Sequence, residues 1–115
     1  MDSILGTIKK MIGGSAEGYE HFDTDLIVHI NTAISIVNQL GVGTDNFYIS
    51  DDTATWSEFY DGPDLNMIQT YIYLRVRQLF DPPTGGGLSN SIQDQIDMLE
   101  WRINVQGDKT ASRSS

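Results

Sequence analysis

The sequence predicts an all-α fold: a small helical bundle of about four helices, with an ordered acidic loop between the second helix and a central one. Three observations carry this. The segment DLNMIQTYIYLRVRQLFDPP (64–83) is apolar around nearly its whole circumference, as a helix in the middle of a core must be. Two flanking stretches repeat apolar residues at helical spacing with start and stop signals at their ends. The one short alternating piece, Phe47, Tyr48 and Ile49, is too small to stand alone as a sheet.

In the central segment the apolar positions are Leu65, Met67, Ile68, Tyr71, Ile72, Tyr73, Leu74, Val76, Leu79 and Phe80. Asp64 stands where an N-cap belongs, and Arg75 and Arg77 lie in the second half, where cations suit the carbonyl end of the helix dipole. Asp81-Pro82-Pro83 ends it, because proline lacks the N–H that continues the ladder and pushes its predecessor out of the α region. A strand reading fits less well, since the run is too long and carries no turn signal.

From the start of the chain, residues 2–12 form a short amphipathic helix through Ile4, Leu5, Ile8, Met11 and Ile12, closed by Gly13-Gly14. Alone it is too short to be stable, so it must dock. Residues 15–19 read as a loop. Asp23 caps a second helix whose face is Leu26, Ile30, Ala33, Ile34, Val37 and Leu40 and which ends at Gly41. Ile27, Val28 and Ile36 widen its apolar surface. Residues 41–54 are the ordered acidic loop. Thr55-Trp56-Ser57-Glu58 matches a capping box opening one or two helical turns, with Trp56, Phe59 and Tyr60 as anchors. Asp61-Gly62-Pro63 is a turn, and the Thr84 to Gly87 stretch is a flexible linker. A last helix from about Ser89 to Asn104 shows Leu88, Ile92, Ile96, Leu99 and Ile103 inward and Asp94, Asp97 and Glu100 outward. The domain is therefore 1–104, and the polar segment 105–115 is expected to be disordered. The core should centre on Ile68, Ile72, Val76 and Leu79, packed against Ile30, Ile34 and Val37 and against Ile92, Ile96 and Leu99.

With 115 residues, 39% of them hydrophobic, the chain suits one compact domain with one modest core. There is no cysteine, which excludes disulfides, thiolate metal sites and a cysteine nucleophile. No signal peptide or membrane span is visible near the N-terminus, and the expectation is a soluble protein with no membrane partner. The formal charge of −9 is uneven: ten Asp and Glu residues, and no Lys or Arg, lie between Met11 and Leu74. Affinity for nucleic acid comes mainly from Lys and Arg, so such a surface argues against tight DNA binding, and its simplest use is solubility.

Signals for chemistry are sparse. Asp25 and His29 are four apart on one helix, a spacing for a charge pair or two metal ligands. No third ligand follows at readable spacing, so a surface pair is preferred and a metal-dependent enzyme is remote. His21 is a lone loop histidine. Asp45, Asn46, Asp51 and Asp52 contain calcium-ligand types without the spacing, central glycine or closing glutamate of an EF-hand. The GVG and GGG segments lack the Lys-Ser/Thr of a phosphate loop, and no G-x-S-x-G occurs. The residues thus predict no catalytic site, no metal and no cofactor, and an interaction protein rather than an enzyme. The four aromatics Phe47, Tyr48, Trp56 and Phe59 are more than one small core should need in an acidic stretch, which marks 47–59 as an ordered inter-subunit or partner-facing segment. Trp101, like Trp56, is by type a core or interface aromatic.

Five strings in order, HFDTDLIVHIN (21–31), NQLGVG (38–43), TWSEF (55–59), TYIYLRVRQLFDPP (70–83) and LEWRIN (99–104), are similar to the head-tail connector, or DNA-packaging, family of long-tailed phages and prophages. They span roughly residues 1–104; the polar tail and the glycine linker lie outside the pattern. The resemblance implies a helical adaptor that forms a ring, a dodecamer, under the portal protein at the capsid vertex. It would extend the DNA channel and offer a platform to a stopper or tail-completion protein, with assembly in the host cytoplasm and residence in the virion at the head-tail interface. An acidic channel wall would let DNA pass without sticking. The family brings no catalytic residues. The rival expectation is a small acidic phage regulator or DNA mimic that binds a host nucleic-acid enzyme.

Overall fold

The computed structural model describes residues 3–12, 23–80 and 86–114. The loop at 15–19, His21, the Gly13-Gly14 and Asp81-Pro82-Pro83 helix ends and the start of the linker at Thr84 and Gly85 lie outside them. Five helices follow in order: α1 (Ile4–Ile12), α2 (Asp23–Gln39), the one-turn α3 (Trp56–Phe59), α4 (Leu65–Phe80) and α5 (Gly86–Ser114). The four longer ones are the predicted bundle. The only β feature among the described residues is a single antiparallel bridge between Ser3 and Thr55, beside which the Ile4 N–H donates to the Ala54 carbonyl at 2.9 Å.

The oily segment is the centre, as its composition requires. α4 packs most extensively on α2, then on α5 and α1. Its buried residues are Ile68, Tyr71, Ile72, Leu74 and Val76, more than one stripe because neighbours lie on several sides. α2 supplies Leu26, Ile30, Ala33, Ile34 and Val37, α1 supplies Ile4, Leu5 and Ile8, and α5 supplies Ile92, Ile96, Leu99 and Ile103. Burying an aliphatic side chain of this size contributes about 1.5–3 kcal/mol, so α1, marginal alone, is held by its three. Lys9 at the end of α1 and Asp23 at the start of α2 pair at 2.8 Å, each at the helix end whose dipole favours its charge.

Three expectations need correction. Leu79 is not at the centre of the core: it is 53% exposed. Its angular position matches that of Ile72, one heptad earlier, but it sits in the last turn of α4. How far partner helices reach along the axis decides its burial, and periodicity does not report that. Glu100 is not turned outward. It is half-buried against α4, where it accepts the Tyr71 hydroxyl at 2.7 Å and pairs with Arg75. The last helix does not span 89–104: it starts within the glycine linker at Gly86 and continues past Asn104, and Gly107 is buried. At about 1.5 Å per residue the 29 residues of α5 make a helix about 44 Å long. The 16 residues of α4 cover about half of that.

Candidate assembly surfaces

The acidic loop of residues 41–54 is held by two asparagines on α2. Asn31 pairs with the backbone of Ile49 in both directions, its Nδ2 donating to the carbonyl at 2.9 Å and its Oδ1 accepting the N–H at 2.8 Å. One turn pair further on, Asn38 Nδ2 donates to the Val42 and Thr44 carbonyls, each at 3.0 Å. Thr44 then binds α3: its N–H donates to the Phe59 carbonyl at 2.8 Å and its hydroxyl to the Glu58 carbonyl at 2.9 Å. Side-chain amides thus satisfy backbone groups that a sheet would otherwise pair. Gly43 adopts φ +86° and faces the Phe59 ring, where a Cβ would come within 2.5 Å of Cε1; both conditions call for glycine.

The capping box forms as predicted, with Glu58 Oε1 accepting the Thr55 N–H at 2.8 Å. It starts α3 so that its two aromatics point inward. Trp56 is 5% and Phe59 1% exposed; Trp56 Nε1 donates to Thr7 Oγ1 of α1 at 2.9 Å, and the Phe59 ring lies 5.3 Å from that of Phe47. Of the four aromatics expected to face a partner, these two are therefore spent on the chain's own core. Phe47 is half-buried, and Tyr48 is 68% exposed. The alternation at 47–49 explains the split, since pinning buried Ile49 to Asn31 turns its neighbour Tyr48 to solvent. Tyr48, Phe47 and Asp45 line an open groove of about 550 Å³ against Asn31, Ser35 and Asn38 of α2.

Around it the acids are on the surface: Asp45, Asp51, Asp52, Glu58 and Asp61 are exposed. The Thr53 hydroxyl at 2.6 Å and the Thr53 N–H at 2.9 Å hold the Asp51 carboxyl below its ordinary range. Asp25 is exposed and His29 half-buried on α2. Among the described residues no group of three or more His, Asp or Glu side chains converges as a metal site.

A second apolar surface, which residue type alone did not locate, lies on the outer side of α5. Met98 and Trp101 are both exposed, Trp101 by 68%, and a groove of about 310 Å³ runs beside Trp101, Arg102 and Val105 to Met67 and Asp64 at the start of α4. The Ile92, Ile96, Leu99 and Ile103 stripe buries the opposite side. The spacing of Met98, Trp101 and Val105 by three and four was the available signal for a second stripe.

The fold is a small all-α bundle with most of its described acids exposed and two large aromatic side chains, Tyr48 and Trp101, open to solvent. The family model for the phage connector protein matches residues 4–110. The chain belongs to the phage connector protein family, whose members are structural rather than catalytic and act at the virion head-tail interface. The match runs past Asn104 and takes in Gly107. No curated protein and no solved structure matches significantly. Among the described residues no helix is long and apolar enough to cross a membrane.

Proposed function

We propose that this connector works as a ring, a dodecamer, seated below the portal protein, where it extends the DNA channel and presents a platform to a stopper or tail-completion protein. The observation that carries the reading is the ordered acidic loop. Its carboxylates stand on a backbone pinned by Asn31 and Asn38, in a stretch from residue 12 to residue 73 that holds no Lys or Arg. A flexible acidic tail would serve solubility equally well; a rigid one keeps its charge at a fixed place, as a passage for a polyanion requires. In this reading Tyr48, with Phe47 at its edge, is the partner-facing part of 47–59. DNA passes without specific binding, and the ring assembles in the host cytoplasm before it enters the virion.

Sedimentation of the purified chain with its portal protein tests this. The expected result is co-migration in a particle that image averaging shows as a ring coaxial with the portal. A chain that ignores the portal and instead competes with DNA for a host enzyme would replace the adaptor with the acidic regulator.

A further inference from the structure

We propose that the Tyr48 groove of one copy receives the Trp101 ridge of the next copy, so that two different faces of this chain form one repeating self-contact; this deepens the ring reading and rests on it. Tyr48 and Trp101 are the most exposed large hydrophobic residues among those described, and Tyr and Trp are the side chains that most often anchor an interface. They line different grooves. α2 and α5 each pack on α4, and the two grooves have no lining residue in common.

Charge selects how these faces pair. If the Tyr48 groove met its own copy, Asp45 would face Asp45, in a stretch with no cation to separate them; like charges set against each other disfavour a contact. If it meets the α5 ridge, Asp45 comes to a groove that holds a cation, Arg102, exposed beside Trp101, while the groove's own carboxylate, Asp64, stands on the α4 side of it. The α5 ridge could pair with itself, but that would leave Tyr48 and its groove uncovered, whereas the mixed pairing covers both. At about 550 Å³ the groove is within the size range of sites that take ring-sized groups. A contact between two different faces is not used up in a dimer. It propagates from copy to copy and ends only when the rotation closes a ring.

The absence of cysteine makes this directly measurable. Ser35 lines the Tyr48 groove and Asn104 lies one turn beyond Trp101, and both are exposed. Copies carrying Ser35→Cys and mass-tagged copies carrying Asn104→Cys are mixed and treated with a short bis-maleimide, after helical circular dichroism has shown both to be folded. The expected product is the mixed 35–104 dimer, in excess over either symmetric dimer. A chain with both cysteines should give a ladder of higher species. Asp45→Arg or Arg102→Asp alone should remove most of the mixed product, and both together in one chain should restore it. Symmetric 35–35 or 104–104 products in excess, or loss without restoration in the double charge swap, would overturn the pairing. Rings seen on the portal without the 35–104 product would remove this contact and leave the ring reading standing. A chain monomeric with and without portal, giving no cross-link, would remove both.

Discussion

Gly107 of α5 rests against Gly41, the residue that turns the chain out of α2. A Cβ added at Gly41 would stand 3.2 Å from the Gly107 Cα, and one added at Gly107 would overlap the Leu40 carbonyl oxygen. Gly41 also has φ +95°, where only glycine is unstrained. The second half of the long helix is therefore locked at Gly107 to the end of α2 by backbone contact, with no side chain between.

This predicts opposite signs for one substitution at two places in α5. Glycine inside a helix normally costs up to about 1 kcal/mol relative to alanine. At Gly87 a Cβ meets nothing within 4 Å, so Gly87→Ala should hold or raise the melting temperature. Gly107→Ala should lower stability by about 1–3 kcal/mol, because the obstruction is backbone and α5 must shift. Thermal unfolding of the two variants decides it; a gain at Gly107 equal to that at Gly87 would mean that the crossing is loose.

The central helix yields a second contrast. Ile72 is fully buried and Leu79 is not. Ile72→Ala should cost about 2–5 kcal/mol through the cavity it leaves, and Ile72→Asp should unfold the domain, an unpaired charge in a core being several kcal/mol unfavourable. Leu79→Ala should cost less than about 1 kcal/mol. Denaturant midpoints of the three variants measure this, and an Ile72→Asp chain with full helical signal and unchanged melting would remove α4 from the core.

These cases show what could be read from sequence. A period of 3.6 places Ile68, Ile72 and Val76 on the inner side of α4, and the prolines mark where the segment must stop. The same period gives Leu79 the same direction and is silent on where its neighbours end. Glu100 has the spacing of an outward residue beside Asp97; its inward role exists only because Tyr71 of another helix needs a partner for its hydroxyl. Gly107 sits in a polar stretch whose composition suggests disorder, and only the second glycine, 66 positions earlier at Gly41, explains it. Of the candidate interface, the capping box locates α3 by residue type alone. Which aromatics turn inward depends on the Asn31 to Ile49 pairing, made 18 residues apart.

Tyr71 gives a pH prediction. Burial pushes its hydroxyl up to about 12 from the ordinary 10.0, with Arg75 opposing and Glu100 reinforcing the shift. A phenol whose folded value lies above its unfolded one stabilises the fold fully below pH 10 and loses that contribution as pH rises towards 12. Tyr71→Phe should be less stable than the parent at neutral pH, since Glu100 and Arg75 lose a hydrogen-bond partner. Its stability should fall less steeply across that alkaline window. Parallel slopes for the two chains between pH 10 and 12 would assign the alkaline loss to other groups.

Asn31 tests the loop. Asn31→Ala leaves the Ile49 N–H and carbonyl without their partner, at a cost of about 1–3 kcal/mol for buried groups left unmade. Hydrogen exchange should quicken at Ile49 and its neighbours while the α4 core amides keep their rates relative to global unfolding. Unchanged exchange at Ile49 would mean that α3 alone holds the loop.

The last prediction concerns DNA, and it follows from sign. The described cations are few and engaged or scattered: Lys9 is paired with Asp23, Arg75 with Glu100, and Arg77 donates to the Tyr73 hydroxyl at 3.2 Å, while Lys10 and Arg102 are exposed on different helices. Among the described side chains no basic stripe forms along any one element, Lys109 and Arg113 being the other cations of α5, and the acidic stretch holds ten carboxylates and no cation. Free protein should therefore leave duplex DNA unshifted at physiological salt. Lowering the salt should make the repulsion reach further, as the Debye length grows to about 30 Å at 0.01 M, whereas a DNA-binding protein gains affinity steeply under that change. In a closed ring, whichever acids face inward add to a negative collar, and repulsion without a specific grip is what a passage needs. Gel retardation across a salt series is the measurement, and tight, salt-sensitive retardation by the free chain would remove the channel reading.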